Sequence, residues 1–284
     1  MDSTNAHQLH EWIGRARHDE DDICAAPLRG LWAMLDREGP APGLGADVPP
    51  LAHWLYFNPS ARQDQLAADG HPTRGDFLPP VELPRRMWAG GSLAFHHPLQ
   101  VGDESVRDSR LLDLNVKQGR SGPLVFVTVR HAITNARGLA ITETQDIVYR
   151  DAPRAEAPSA APALAPTDEA FSREIMPDPA LLFRYSALTF NGHRIHYDRP
   201  YATEVEGYPG LIVHGPLIAT LLIDLLHRHD RRATVRRFSF KALSPLFDTH
   251  PFTVCGRVDG RGEFSLWARN HEGHLAMQAT ALIA

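Results

Sequence analysis

Apolar and polar positions change rhythm several times along the chain, and each change predicts an element. Spacing near the start predicts two short amphipathic helices, over Gln8–Arg17 and Leu28–Arg37. The stretch PAPGLGADVPPLAHW that follows is too rich in proline and glycine for regular structure. Trp54, Tyr56 and Phe57 are large and close together and are read as core. Gly90-Gly91 breaks the pattern ahead of a short strand at Ser92–Phe95. Strands are then predicted at Ser105–Leu114, Leu124–Thr134 and Leu139–Tyr149, with turns at Gly119–Pro123 and Asn135–Gly138. Further on, Phe183–Phe190 reads as a strand. Leu211–His227 is apolar on nearly every face, which predicts a helix enclosed by protein, and Pro216 suits its first turn. Strands are predicted again at Thr234–Lys241, Phe252–Val258, Glu263–Arg269 and Leu275–Leu282.

The same order thus occurs twice, helical material and then a run of strands, which predicts an α+β chain with helix packed on antiparallel sheet in each half. Between the halves, Ala152–Ala170 is almost wholly Ala, Pro, Ser and acidic residues and has too little apolar surface to order itself. The expected organisation is an N-terminal domain over 1–151, a linker over 152–170 and a C-terminal domain over 171–284.

Charge narrows the choice of partners. With 34 Asp and Glu against 29 Lys and Arg, the net charge is -5, so no broad basic face exists for nucleic acid. Small anions can still be held by local pairs such as Arg85-Arg86, Arg231-Arg232 and Arg236-Arg237. Cys24 and Cys255 are far apart with no CxxC spacing, so neither a disulfide framework nor a metal site is expected, and Cys255 reads as a small buried hydrophobe. The first residues lack an apolar secretion core, and the run around Leu217–Leu226 is broken by Asp224 and too short for a bilayer. A cytoplasmic protein without membrane contact is expected.

Candidate chemistry concentrates in Asn191, His193, His196, Asp198 and His214. A polar excursion from Asn191 to Asp198 after a strand end projects histidines toward a cleft. A helix opened by Gly215 leaves its first amides without intrahelical acceptors, free to bind a developing negative oxygen. Adding water across a double bond conjugated to a thioester needs these two devices. An imidazole takes and returns the proton, and fixed donors hold the enolate-like oxygen. With 16 histidines in the chain, His10, His18, His71, His229 and His274 are assigned to surface or structure.

Phe183–Leu222, FRYSALTFNGHRIHYDRPYATEVEGYPGLIVHGPLIATLL, resembles the catalytic segment of the MaoC-like hydratases, in the branch of mesaconyl-C4-CoA hydratase, itaconyl-CoA hydratase and mitochondrial-type 3-hydroxyacyl-thioester dehydratase. Asp69–Leu93 and Val116–Thr134 resemble the dehydratase-like N-terminal half of that branch. The resemblance implies a double hot-dog fold, each half a curved antiparallel sheet wrapped around a central helix, with Gly215–His227 as the helix of the second half. It also implies reversible hydration of an enoyl-CoA, with a short branched dicarboxylic thioester such as mesaconyl-C4-CoA or itaconyl-CoA favoured.

On this resemblance His196 is the proton-transfer residue and the Gly215 amide the donor to the thioester oxygen, with His214, His193 and Asp198 in support. The broader family carries Asp five positions before its His. Here that position is Asn191, an amide that cannot act as a base and is assigned to orienting water or substrate. Arg85, Arg86 and Arg194 are candidates for the far carboxylate of the acyl group, and Arg231, Arg232 and Lys241 for the phosphates of coenzyme A. No metal or separate cofactor is implied, and homodimerisation is expected. Two other readings stay open, a fatty-acid-type 3-hydroxyacyl-thioester dehydratase and a non-catalytic acyl-thioester-binding subunit.

Overall fold

One antiparallel sheet of ten strands runs through the computed structural model, which describes residues 8–119, 122–151, 162–260 and 262–284. The N-terminal half contributes β1 (Ala16–Asp22), α1 (Ala25–Met34), β2 (Arg85–Phe95), β3 (Glu104–Gly119), β4 (Gly122–Asn135) and β5 (Gly138–Arg150). The C-terminal half contributes β6 (Phe171–Ile175), α2 (Pro179–Leu188), α3 (Gly215–His229), β7 (Val235–Ala242), β8 (Phe252–Gly260), β9 (Glu263–Arg269) and β10 (Leu275–Ile283). The strand order β1-β3-β4-β5-β2-β7-β10-β9-β8-β6 reads the same outward from its centre in both directions. The halves are therefore two copies of one topology, joined where β2 pairs with β7 and Ser92 lies opposite Ser239. This is the double hot-dog, an α+β architecture.

Close approach at that seam explains Gly90-Gly91, which lie inside β2 rather than ahead of it. A Cβ on Gly90 would stand 2.6 Å from the Phe240 carbonyl oxygen, and one on Gly91 2.5 Å from that of Thr144. Bare backbone is needed on both sides of the strand.

Two other expectations are corrected. Gln8–Arg17 is not a helix: after a single turn at 8–10 the chain enters β1, a polar strand on the sheet edge. Its ARHDEDD sequence carries no apolar alternation because charges hold it to β3, with Arg107 bonded to Asp19 at 2.8 Å. Phe183–Phe190 is mostly helix α2 rather than strand, since Pro179 occupies its first turn and Asp178 caps it by accepting from the Leu181 amide at 2.8 Å. Within the proposed linker, 152–161 lies outside the described residues. The stretch from 162 is laid on the C-terminal half, where the Ala165 amide donates to Gly273 O at 2.9 Å.

α3 is enclosed as its composition requires. Ten successive residues, Leu217 to Leu226, are buried, each large aliphatic contributing roughly 1.5–3 kcal/mol. The one acid among them, Asp224, is held by three guanidinium groups, from Arg37 in the N-terminal half, Arg173 on β6 and Arg228 one turn on. In the corresponding stretch of the N-terminal half, between α1 and β2, the short 3-10 turn Ala52–Leu55 enters the core, with Val48, Leu51, Tyr56 and Phe57 buried beside it. One continuous core unites α1, α2, α3 and both sheet halves. Cys255 is buried and unbridged. Among the described residues no helix is long and apolar enough to cross a membrane.

Candidate active site

The turn between α2 and α3 carries the chemistry because two glycines let it touch the other half. Gly70 has φ +87°, and a Cβ there would fall 1.9 Å from the Gly192 carbonyl oxygen, while one on Gly192 would meet Gly70 O at 2.7 Å. No other residue pair fits back to back there. The contact is locked by the Arg194 amide, which donates to Asp69 O at 2.9 Å, and by the Arg194 side chain, which donates to Ala68 O at 3.0 Å.

Four imidazoles gather behind this contact. His214, the residue before α3, is buried and stacks on His196 with ring centroids 3.6 Å apart. His193 meets His196 edge-on at 5.4 Å and packs on His71 at 4.1 Å. His196 Nδ1 lies 2.7 Å from Ile212 O. A carbonyl only accepts, so Nδ1 carries the hydrogen and Nε2 keeps its lone pair. Burial pushes the His196 pKa down to about 4, against the opposing pull of that hydrogen bond. His193 and His214 are lowered as well, first by burial and then by neighbouring imidazoles. At neutral pH the cluster is uncharged and His196 Nε2 is a base. Ser186 Oγ, 2.8 Å from His214 Nε2, fixes the ring on which His196 rests.

Gly215 opens α3 directly after His214, and Pro216 offers no N–H, so the Gly215 amide points out of the helix start without an intrahelical acceptor. A Cβ on Gly215 would meet nothing nearer than the Trp88 carbonyl oxygen at 3.8 Å. The helix start is therefore uncrowded on the Cα side of Gly215.

The remaining sequence assignments divide. Asn191 Oδ1 accepts from the His193 amide at 3.0 Å, so its oxygen shapes the turn instead of facing water. Asp198 is bonded twice to Arg194, at 2.9 and 2.8 Å, and accepts from the Tyr201 amide. Its charge is paired within the loop, and Arg194 also clamps the halves together through Ala68 O. Arg85 pairs with Glu206 at 3.1 Å and lies over Tyr208, which removes it too. Arg86 behaves otherwise: its charge acts on both His71 and His193, and among the described residues no carboxylate pairs with it. Arg231 lines a cleft of about 920 Å³ beyond the far end of α3. The fifteen residues of that helix set it roughly 22 Å from Gly215. Arg232 shares its turn, so both lie about a helix length from the histidines. Lys241 is exposed on the outer face of β7, opposite in parity to the buried Phe238 and Phe240.

Sequence reasoning missed Asp69 and His71. Asp69 Oδ1 accepts from the His71 amide at 3.0 Å, and Oδ2 stands 3.1 Å from His71 Nδ1. Burial alone would raise the Asp69 pKa, but the His71 bonds and charge hold it well below the usual carboxylate range. The signal available was the close Asp-Gly-His spacing inside a stretch already resembling the N-terminal half of a hydratase. Asp69, His71 and His193 each present one donor atom within 4.8 Å of the others. Asp69 and His71 form a hydrogen-bonded pair, and the His193 ring lies tilted at 43° against His71.

A model of the family described as hydroxyacyl-thioester dehydratase type 2 matches residues 51–248, a span that contains Asp69, Arg86, His196 and Gly215. The chain belongs to the hydroxyacyl-thioester dehydratase type 2 family. It is 50% identical to mesaconyl-C(4)-CoA hydratase of Chloroflexus aurantiacus over 95% of both chains. It is 27% identical to the mitochondrial hydroxyacyl-thioester dehydratase type 2 of Schizosaccharomyces pombe, over 83% of this chain and 88% of that one. Solved structures agree on the fold. A MaoC-like dehydratase from Phytophthora capsici superposes with a TM-score of 0.72 at 13% identity, over 97% of each chain. A Mycobacterium tuberculosis protein described as having a double hotdog fold superposes with a TM-score of 0.57 over 96% of each. In this member of the dehydratase family the site draws on both halves.

Proposed function

We propose that the chain catalyses reversible addition of water to a short, branched, dicarboxylic enoyl-CoA of the mesaconyl-C4-CoA type. His196 Nε2 takes a proton from water as its oxygen bonds to the β carbon. The imidazolium returns a proton to the α carbon, and the Gly215 amide holds the thioester oxygen while it carries enolate charge. Water enters, one carbon–carbon π bond is lost, and no electrons leave the substrate. A neutral base fixed in one tautomer by Ile212 suits this, since it is already deprotonated at neutral pH and need not reorient.

The dicarboxylic preference is carried by one observation: Arg86, bonded to Tyr149, is close enough for its charge to act on His71 and His193, and among the described residues no carboxylate pairs with it. A buried free carboxylate on the acyl group is costly unless paired, and a guanidinium answers it with two parallel donors. The 50% identity to a mesaconyl-C(4)-CoA hydratase supports the same substrate class. The experiment follows loss of the conjugated enoyl-thioester absorbance with mesaconyl-C4-CoA and with linear crotonyl-CoA, for wild type and Arg86→Ala. Wild type consumes the first much faster, and the variant raises KM for it while leaving crotonyl-CoA nearly unaffected. Equal turnover of both by wild type points instead to a fatty-acid-type dehydratase. An absorbance that does not change identifies a binding subunit.

A further inference from the structure

Proton removal by His196 creates a positive charge inside a cluster that holds none at rest. His71, His193, His196 and His214 are stacked or edge-packed in one row, and Arg74 and Arg86 border it from the N-terminal half. A new cation among neutral rings and two guanidinium groups is unfavourable unless a fixed negative charge stands close. Position 191, where the broader family has its acid, holds an amide whose oxygen is engaged by the His193 backbone. Asp198 and Glu206 border the same loop, but each is already paired with an arginine. Asp69 remains. Its carboxylate bonds the His71 ring, that ring lies against His193, and its negative charge acts on His193 directly.

We propose that Asp69, through His71, supplies from the N-terminal half the negative charge that the catalytic turn lacks at position 191. Asp69 and His71 are positioning residues and touch no reacting atom. Since the carboxylate accepts from His71 Nδ1–H, the ring turns its Nε2 side away from Asp69, where it packs on His193 and supports that ring beside His196. The paired glycines Gly70 and Gly192 give the arrangement its rigidity, as neither side of the contact tolerates a Cβ. The N-terminal half is thereby a working part of the site, although its own topological equivalent of the catalytic turn carries no such cluster.

This rests on the hydratase reading, so the test separates the two. Asp69→Asn keeps shape and most hydrogen bonds while removing charge, and a carboxylate this close to an imidazole is worth about 1–3 pKa units. With wild type active on mesaconyl-C4-CoA, the variant lowers kcat about tenfold or more, one unit being a tenfold effect. KM changes little, because no substrate contact is lost. The acid limb of the kcat profile moves to lower pH, since a cluster without its counter-charge protonates less readily. Asp69→Glu recovers part of the rate. A variant with wild-type kcat and an unmoved acid limb overturns the proposal while leaving the hydratase reading intact. If wild type hydrates no thioester, that reading fails, and the imidazole titrations followed by nitrogen NMR still decide. His193 titrating lower in Asp69→Asn supports the coupling, and identical titration overturns it.

Discussion

Both halves bury histidines, and His53 and His196 sit in contrasting surroundings. In the N-terminal half His53 Nε2 lies 3.0 Å from Glu143 Oε2, and Trp54 Nε1 donates to the other oxygen at 2.9 Å. Burial would raise the Glu143 pKa, but these bonds outweigh it and the carboxylate stays ionised. The carboxylate is saturated, with Gln145 Nε2 also donating to it at 2.8 Å, while His53 Nδ1 has no partner among the described residues. In the C-terminal half His196 has its Nδ1 occupied by a carbonyl and its Nε2 left open, beside a helix whose first amide is also open. Two copies of one topology have diverged in what they leave unsatisfied. A carboxylate with both oxygens bonded stabilises the fold, and an imidazole nitrogen left open beside an open helix-start amide is available for chemistry.

Substitutions in the two histidines should separate these roles. His196→Ala is expected to lower turnover by the ~10²–10⁴ that general acid–base groups supply, with an unchanged urea midpoint. Wild-type turnover would break the comparison outright. His53→Ala should do the reverse. Removing one member of a buried pair strands the other, at about 3–5 kcal/mol, so the urea midpoint falls while turnover per folded molecule is kept. Asp224→Ala, which strands Arg37, Arg173 and Arg228 around α3, is expected to destabilise by a somewhat smaller amount, since those guanidinium groups keep contact with water.

Acid should act more gently and in a known direction. His193, His196 and His214 all have folded pKa values below the 6.5 of an unperturbed imidazole. Below about pH 6.5 the unfolded chain therefore binds more protons than the folded one, and stability declines from there toward pH 4, where His196 itself protonates. Urea midpoints at pH 7, 5.5 and 4.5 should fall in that order, and a flat series would mean the cluster is not buried as described. The smallest effect belongs to the surface. Arg62→Ala, which loses only an exposed pair with Asp64, should leave both activity and midpoint where they were.

Much of the C-terminal half was legible in its residues. The apolarity of Leu217–Leu226 on every face required enclosure, and Pro216 marked the start of α3. The strands after it fell within a residue or two of their predicted ends. β1 was not legible, because an edge strand held by Asp19 and Arg107 has no hydrophobic alternation to read. α2 was read as strand because its aromatic and aliphatic residues look alike in both, and only the Asp178-Pro179 start distinguishes them. His196, His214 and Gly215 could be found from their neighbours in sequence. Asp69 and His71 could not, since what makes them part of the site is a backbone contact between Gly70 and Gly192 that no local pattern encodes. The arginines show the same limit. Arg85 and Arg86 are adjacent in the chain, yet one pairs with Glu206 and the charge of the other acts on His71 and His193.

Because β2 and β7 are hydrogen-bonded neighbours in a single sheet, the two copies cannot exchange partners or drift apart as separate subunits could. A symmetric pair must change both clefts whenever one residue mutates. Covalent fusion lifts that constraint, so residues around 67–71 can lie against the other copy's histidines without a matching change on the opposite side. Severing the chain between the copies should therefore yield two fragments that each present an open sheet edge and that recover turnover only when recombined.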